Sequence, residues 1–306
     1  MLVVLQVLIG LGVAVRWLDA TWQVPIVQAF FPVIGMAAVA MFVLVAALRY
    51  RVLGLCALLV AVPPLVLGMT SLHSDTVAAG PHDEVVMTIN LEYGHADPAR
   101  VVAAARERRV DTLVLEECTP SELRALRRHG LDDLLPHQAG SAGPGLTGTL
   151  VRSTHRVRLV AEHSAGRFAG SPDIQVVTAQ GDYRLRAVHT PAPLPDIVGD
   201  WRSALRSLTA WRDRLPDDQR LVLAGDFNAS SAMPGYRKLA DGLTDSSRAT
   251  GSGWQRTWPH GTWLPPFVQL DHVLSRGFAV VADGTVPIAG TDHLGYWARL
   301  RMQRAE

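Results

Sequence analysis

Six short polar signals sit in the second and third parts of this chain, each beside an apolar segment. Asn90 follows Val-Val-Met-Thr-Ile, Glu117 follows Leu-Val-Leu-Glu, and His189 follows Leu-Arg-Ala-Val. Asp226 and Asn228 follow Leu-Val-Leu-Ala-Gly, Asp271 sits in Leu-Asp-His-Val-Leu, and Asp292-His293 lies near the C-terminus. Carboxylate and amide oxygens are the donors a hard cation such as Mg²⁺ prefers, and Glu117, Asn90 and Asp292 can supply them. Histidine adds a proton donor or acceptor that titrates near neutrality. Asp226 and Asn228, two apart on an extended segment, project to the same side. Each signal alone has a plain structural reading: a strand-end Asn or His is often a turn or core group. Gly-Asp-Phe-Asn also reads as an Asx-turn, and Asp292-His293 as an exposed loop pair.

Together these groups need elements that bring strand ends to one rim. The pattern from residue 84 onward alternates short strands with amphipathic helices. Strands are expected at 85–90, 112–116, 149–151, 157–162, 174–178, 183–189, 221–224, 267–274, 278–283 and 296–301. Helices are expected at 98–109, at 121–129 with Ser121 as N-cap, and at 198–214. The glycine-rich stretch 140–148 reads as loop. There is no internal repeat, and the mixture predicts a layered α/β domain.

Taken in order, Thr88-Ile-Asn90, Leu113-Val-Leu-Glu-Glu117, Val188-His189, Leu223-Ala-Gly-Asp226-Phe-Asn228-Ala, Leu270-Asp271-His272 and Thr291-Asp292-His293 resemble the endonuclease/exonuclease/phosphatase superfamily. The resemblance covers nearly all of residues 84–303. It implies a DNase I-like four-layer α/β/β/α sandwich and hydrolysis of a phosphate ester by water, with no Ser or Cys nucleophile. It assigns Glu117, Asn90 and Asp292 to a bound Mg²⁺, with Mn²⁺ as an alternative. It makes Asp226 the residue that orients the attacking water and Asn228 its partner near the phosphate. It pairs His293 with Asp271 and sets His189 against the phosphoryl oxygens. There are departures: Glu116 stands where Gln is common and leaves open which glutamate is the ligand, and Thr291 stands where Ser is common. Thr257-Trp258-Pro259 and Trp263 read either as an aromatic rim for a base or lipid, or as a packed surface loop.

The first seventy-odd residues are different. Only Arg16, Asp19, Arg49 and Arg51 are charged before Asp75, which makes the mean hydropathy of the chain positive. Apolar runs at about 29–48 and 52–72 have the length of bilayer-crossing helices, and 2–18 is a shorter third candidate that could also be a signal peptide. The expected organisation is a transmembrane region 1–75, a linker 76–83 and a catalytic domain 84–303. Arg49-Tyr50-Arg51 places that loop in the cytoplasm and the domain outside a multi-pass cell-membrane protein. No acidic residue inside the apolar runs marks a transport pathway. Removing the three arginines and two aspartates of the first 75 residues leaves 26 charges of each sign, so the domain has no global field to attract nucleic acid. Cys56 and Cys118 suggest two buried free thiols, with neither metal spacing nor disulfide framework. The partners expected are a phosphate-ester substrate, from nucleic acid or phospholipid, and membrane lipid around the helices, with no obligate protein partner. A nuclease ranks slightly ahead of a phospholipid headgroup phosphodiesterase, and a non-catalytic binding module ranks third.

Overall fold

The computed structural model describes residues 1–164 and 170–303. Four helices come first: α1 (Leu2–Ala14), extended by a tight turn over Val15–Trp17, then α2 (Gln23–Ala29), α3 (Phe31–Ala47) and α4 (Arg51–Thr70). Among the described residues only α4 is by itself long and apolar enough to cross a bilayer, and its most apolar stretch is 11% buried. α2 and α3 meet the same test together but bend by 62° at Phe30, and α1 with its turn is apolar but shorter. Cys56 on α4 is exposed, against expectation, because the face that carries it has no protein neighbour; Cys118 is buried and also free.

The remainder opens with β1 (Glu84–Asn90), α5 (Pro98–Arg108), β2 (Thr112–Glu116), α6 (Pro120–Arg128), α7 (Leu131–Leu134), β3 (His137–Ser141), β4 (Thr149–Ser153) and β5 (Arg156–Ser164). β6 (Gly170–Val177), β7 (Tyr183–His189), α8 (Val198–Asp213), β8 (Leu221–Asp226), α9 (Pro234–Ala240), β9 (Thr244–Asp245) and α10 (Ser246–Ala249) follow. β10 (Asp271–Arg276), β11 (Phe278–Val286) and β12 (Gly295–Met302) complete the order. Among the described residues the strands form two six-stranded sheets, β11-β12-β1-β2-β4-β3 and β5-β6-β7-β8-β10-β9.

Three apolar layers hold this sandwich. Val86, Val114, Val151, Leu185, Val222 and Val273 meet between the two sheets. Met87, Ile89, Leu113 and Leu115 on the opposite face of the first sheet pack under Val101 and Ala105 of α5 and Leu126 of α6. Leu221 and Leu223 of the second sheet pack under Trp201 and Leu205 of α8 and Tyr236 of α9. This is why β1, β2 and β8 are buried along their whole length and read as unbroken apolar runs instead of alternating ones. Both sheets pair their central strands in parallel, β1 with β2 and β7 with β8. Those four strands therefore end on the same side.

Several boundaries differ from the sequence reading: β10 begins at Asp271 instead of residue 267, and β6 at Gly170 instead of residue 174. α6 begins at Pro120, and its N-cap is Thr119, whose Oγ1 accepts from Glu122 N; proline at the first helical position shifts the cap one residue upstream of it. The glycine-rich stretch is not loop throughout, because β3 runs into it as far as Ser141 and pairs with β4. The short elements α7, α9, β9 and α10 carry no periodicity long enough to see in sequence.

The N-terminal helices sit directly on the sandwich. Phe31 and Ala38 of α3 and Ala61 of α4 form a small core with Ala232. Phe30 stacks on Phe267 at 4.6 Å, Arg237 donates to the Arg16 carbonyl at 3.0 Å, and Arg202 pairs with Asp19. Asp75 N and Val77 N donate to the carbonyls of Ala249 and Val280.

Candidate active site

Strand register assembles the site. Asn90 at the end of β1 lies opposite Glu116 at the end of β2, and the chain turns immediately to Glu117. In the other sheet Asp226 lies opposite both His189 and Asp271. The two sheets then bring these ends together: Asn90 Nδ2 donates to Glu117 Oε1 at 3.2 Å and across the sandwich to Asp226 Oδ2 at 3.1 Å.

Asp226 is 1% exposed and accepts Asn228 N on Oδ1 (2.8 Å) and Asn228 Nδ2 on Oδ2 (3.1 Å). Asn228 has a positive φ of 44°, which turns its side chain back onto Asp226 and onto the Thr190 carbonyl. The local Asx-turn and the site are thus one arrangement. Gly225 makes it possible, with φ of 149° and no room for a Cβ, which would fall 1.8 Å from the Val188 carbonyl oxygen.

His293 is 5% exposed. Its Nδ1 meets Asp271 Oδ2 at 2.9 Å, while Nε2 lies 3.8 Å from Asp226 Oδ2 and 3.9 Å from Asp292 Oδ1. Burial works against the imidazolium, but Asp271 and then Asp226 outweigh it and carry the group up to about 10. Burial pushes the Asp226 carboxyl up to about 6, with His293 opposing. A cationic ring between two carboxylates follows, the third carboxylate, Asp292, being about a third exposed.

Glu117 also has a positive φ, 53°, so its side chain turns out of the core. Oε2 accepts Tyr93 N at 2.9 Å, and Oε1 lies 3.5 Å from His189 Nε2. Burial alone would raise this carboxyl, yet His189, Asn90 and the Tyr93 N–H together hold it below its ordinary value. Glu116 takes the opposite course. It is fully buried, accepts from Thr88 Oγ1, leaves Oε2 without a partner, and burial pushes it well above the carboxylate range. A carboxyl so deeply buried in the inter-sheet layer is poorly placed to meet a cation, whereas Glu117 turns outward beside Asn90, which favours Glu117 of the two glutamates.

The sequence reading missed several participants. Glu92, two residues beyond Asn90, turns its carboxyl toward Asp292 and Glu117; burial first, then Asp292, raises it. The only signal was its place in Asn-Leu-Glu, directly after a site residue. Trp258 Nε1 donates to Asp292 Oδ2 at 2.9 Å, so this tryptophan positions a carboxylate, whereas Trp263 is 89% exposed. Thr291 Oγ1 donates to the Asn90 carbonyl and ties the C-terminal loop to β1, doing what Ser would do there.

The gathering of Glu92, Glu117 and Asp292 is repulsive until a cation joins it, and with the Asn90 amide it offers the oxygen donors that Mg²⁺ takes. Among the described residues the ligand-type atoms of a separate cluster, Asp226, Asp271 and His293, lie within 4.8 Å of one another. All three are buried and the ring already bonds Asp271, so this cluster is better read as a proton-handling group than as a cation cage.

A solved endonuclease/exonuclease/phosphatase from Beutenbergia cavernae DSM 12333 is similar over 74% of this chain and 73% of its own, with 22% identity and a TM-score of 0.56. D. rerio TDP2 in complex with a single-strand DNA product matches 72% of this chain and 100% of its own, at 14% identity and a TM-score of 0.59. Sphingomyelinase C from Streptomyces griseocarneus matches 72% and 99%, at 18% identity and a TM-score of 0.52. At these identities the likeness is one of fold, a DNase I-like sandwich of two sheets with helices outside. No curated protein matches the sequence. The model of the Endonuclease/Exonuclease/phosphatase family spans residues 87–293, from β1 to His293 itself. With that match over most of its length, the chain belongs to the Endonuclease/Exonuclease/phosphatase family of metal-dependent phosphoester hydrolases.

Proposed function

We propose that this protein is a membrane-anchored, Mg²⁺-dependent phosphodiesterase that hydrolyses phospholipid headgroup esters at the external face of the bilayer. The observation that carries the hydrolytic part is the Asp271–His293–Asp226 arrangement beside Glu117 and Asn90. Asp226, ionised at neutral pH, orients a water and takes its proton. Asn228 and Asn90, both bonded to Asp226, hold that carboxylate in place. His293, kept protonated by Asp271, donates toward the developing negative charge. His189 directs its ring to the Glu117 side of the same space. A cation held by Glu117, Asn90, Asp292 and Glu92 would neutralise a phosphate oxygen.

The choice of substrate follows from how the sandwich is docked. Ser230 and Ala232, just beyond Asn228, and Val268 and Gln269, just before Asp271, face the N-terminal helices. Loops that flank the catalytic residues thus contact the helices, which supports a site close to the membrane surface. α4, with 11% of its apolar window buried, is unlike a soluble core helix, and the long exposed apolar faces of α1 and α3 agree. Trp263 and Leu264, exposed on the loop between Trp258 and Phe267, fit an interfacial contact. These features move a lipid phosphodiester ahead of nucleic acid, which the family resemblance ranks first by a small margin; TDP2 with its DNA product keeps the nuclease as the second reading.

The test is hydrolysis by the full chain in detergent micelles of sphingomyelin, phosphatidylglycerol, plasmid DNA, RNA and bis(p-nitrophenyl) phosphate, with Mg²⁺, Mn²⁺ or EDTA. EDTA-sensitive release of a phosphorylated headgroup is expected. EDTA-sensitive cleavage of DNA or RNA without lipid turnover would replace the lipid reading with the nuclease one.

A further inference from the structure

A cavity of about 690 Å³ opens between the N-terminal helices and the loops that follow β8 and precede β10. That volume falls within the range of small-molecule sites, about 300–1,000 Å³. α3 lines it with Phe31, Gly35 and Val39, and α4 with Pro64 and Gly68, with Leu72 just beyond the end of α4. The α3 set steps by four residues, so it is one helix face about 12 Å long at about 1.5 Å per residue. Together they make an apolar slot running away from the sandwich.

The other end of the cavity is polar and cationic. Arg16, Ser230 and Arg248 line it. Arg16 is 6% exposed, packs its guanidinium over the Phe31 ring at 4.9 Å, and lies within electrostatic reach of Arg237 and Arg248. Among the described residues no carboxylate pairs with any of the three. Asp245, also on the cavity wall, is engaged by the Tyr236 hydroxyl and by Ser247. Ser230 Oγ is buried without a hydrogen-bond partner. A buried guanidinium beside two others, with no counter-charge, requires an anion, and the adjoining slot requires hydrocarbon.

We propose that an anionic phospholipid resides in this cavity, its phosphate near Arg16, Arg248 and Ser230 Oγ and one acyl chain along the apolar wall that α3 and α4 form together. None of Asn90, Glu117, Asp226, Asp271 and His293 lines the cavity, so this lipid is a resident ligand and not the ester being cleaved. The inference rests on the membrane placement of the helices argued above.

The test uses the full chain in mixed micelles of equal phosphatidylglycerol and phosphatidylcholine, weighed by native mass spectrometry. A single phosphatidylglycerol should be retained, preferred over phosphatidylcholine by about tenfold. Arg248→Glu, at an exposed position, should bring the two lipids to parity. Gly68→Leu, where an added Cβ meets nothing within 4 Å, should fill the slot and abolish retention of both. Equal retention of both lipids by the unaltered chain, or an unchanged preference in Arg248→Glu, overturns the proposal. Alkaline carbonate washing of membranes separates the two levels. A chain that stays in the pellet yet shows no preference refutes the lipid site alone, whereas a chain that is washed out refutes the membrane reading and the site with it.

Discussion

His293 sits between Asp271 and Asp226, and that placement dictates what single substitutions should do. Asp271→Asn keeps the shape of the side chain but removes the charge that favours the imidazolium. Turnover should fall by about 10²–10⁴-fold, the usual worth of a positioned acid or base, while circular dichroism stays that of the unaltered chain. Retained turnover would remove His293 from the proton-handling role. Glu116 gives an opposite case. Its folded-state pKa is raised by burial, so the native chain binds a proton that the unfolded chain releases above about 4.5. Stability contributed by this group is therefore lost as pH rises above that value. Glu116→Gln mimics the neutral acid and should melt at a higher temperature than the unaltered chain at pH 8, with the gap closing toward pH 4.5. A constant gap across that range would show that Glu116 is not held neutral. The residues that sequence reading located, from Asn90 to His293, lie at strand ends where apolar runs stop. Glu92 escapes, and Trp258 reads as an aromatic rim or a packed loop and not as the partner of Asp292, because both enter through loops whose course depends on the assembled sandwich.

Strands whose two faces are both covered were legible as apolar runs: β2 and β7 begin and end where the sequence places them. Elements of two to seven residues between β8 and β10 were not, since α9 owes its helix to packing Tyr236 and Leu239 under the second sheet rather than to any repeat. The cap of α6 shows how one residue decides a boundary. Thr119→Ala should cost about 1 kcal/mol in chemical denaturation, whereas Ser121→Ala should cost far less; equal losses would restore Ser121 as a co-cap. Gly225 is the stricter constraint at this scale. Any side chain there drives into the Val188 carbonyl and parts β7 from β8 next to Asp226. Gly225→Ala should destabilise by more than about 2 kcal/mol and lower activity in whatever fraction still folds, which thermal melting and an assay per folded molecule would reveal.

At the scale of the molecule, the helices and the sandwich share a surface that composition could not foretell. Phe30 on Phe267, Asp19 on Arg202 and the Arg16 carbonyl on Arg237 join residues roughly two hundred positions apart. If α4 crosses a bilayer as proposed, a C-terminal tag should be cleaved by protease added outside intact cells, and protection of the tag until lysis would reverse the topology. Residues 75 and 77 form backbone bonds to Ala249 and Val280, so the stretch leaving α4 lies along the sandwich instead of hanging free. A catalyst mounted this way has almost no reach. It meets only what passes within its own height of the surface, so its rate should follow how densely substrate is spread in the plane beneath it and should be nearly indifferent to how much is dissolved above.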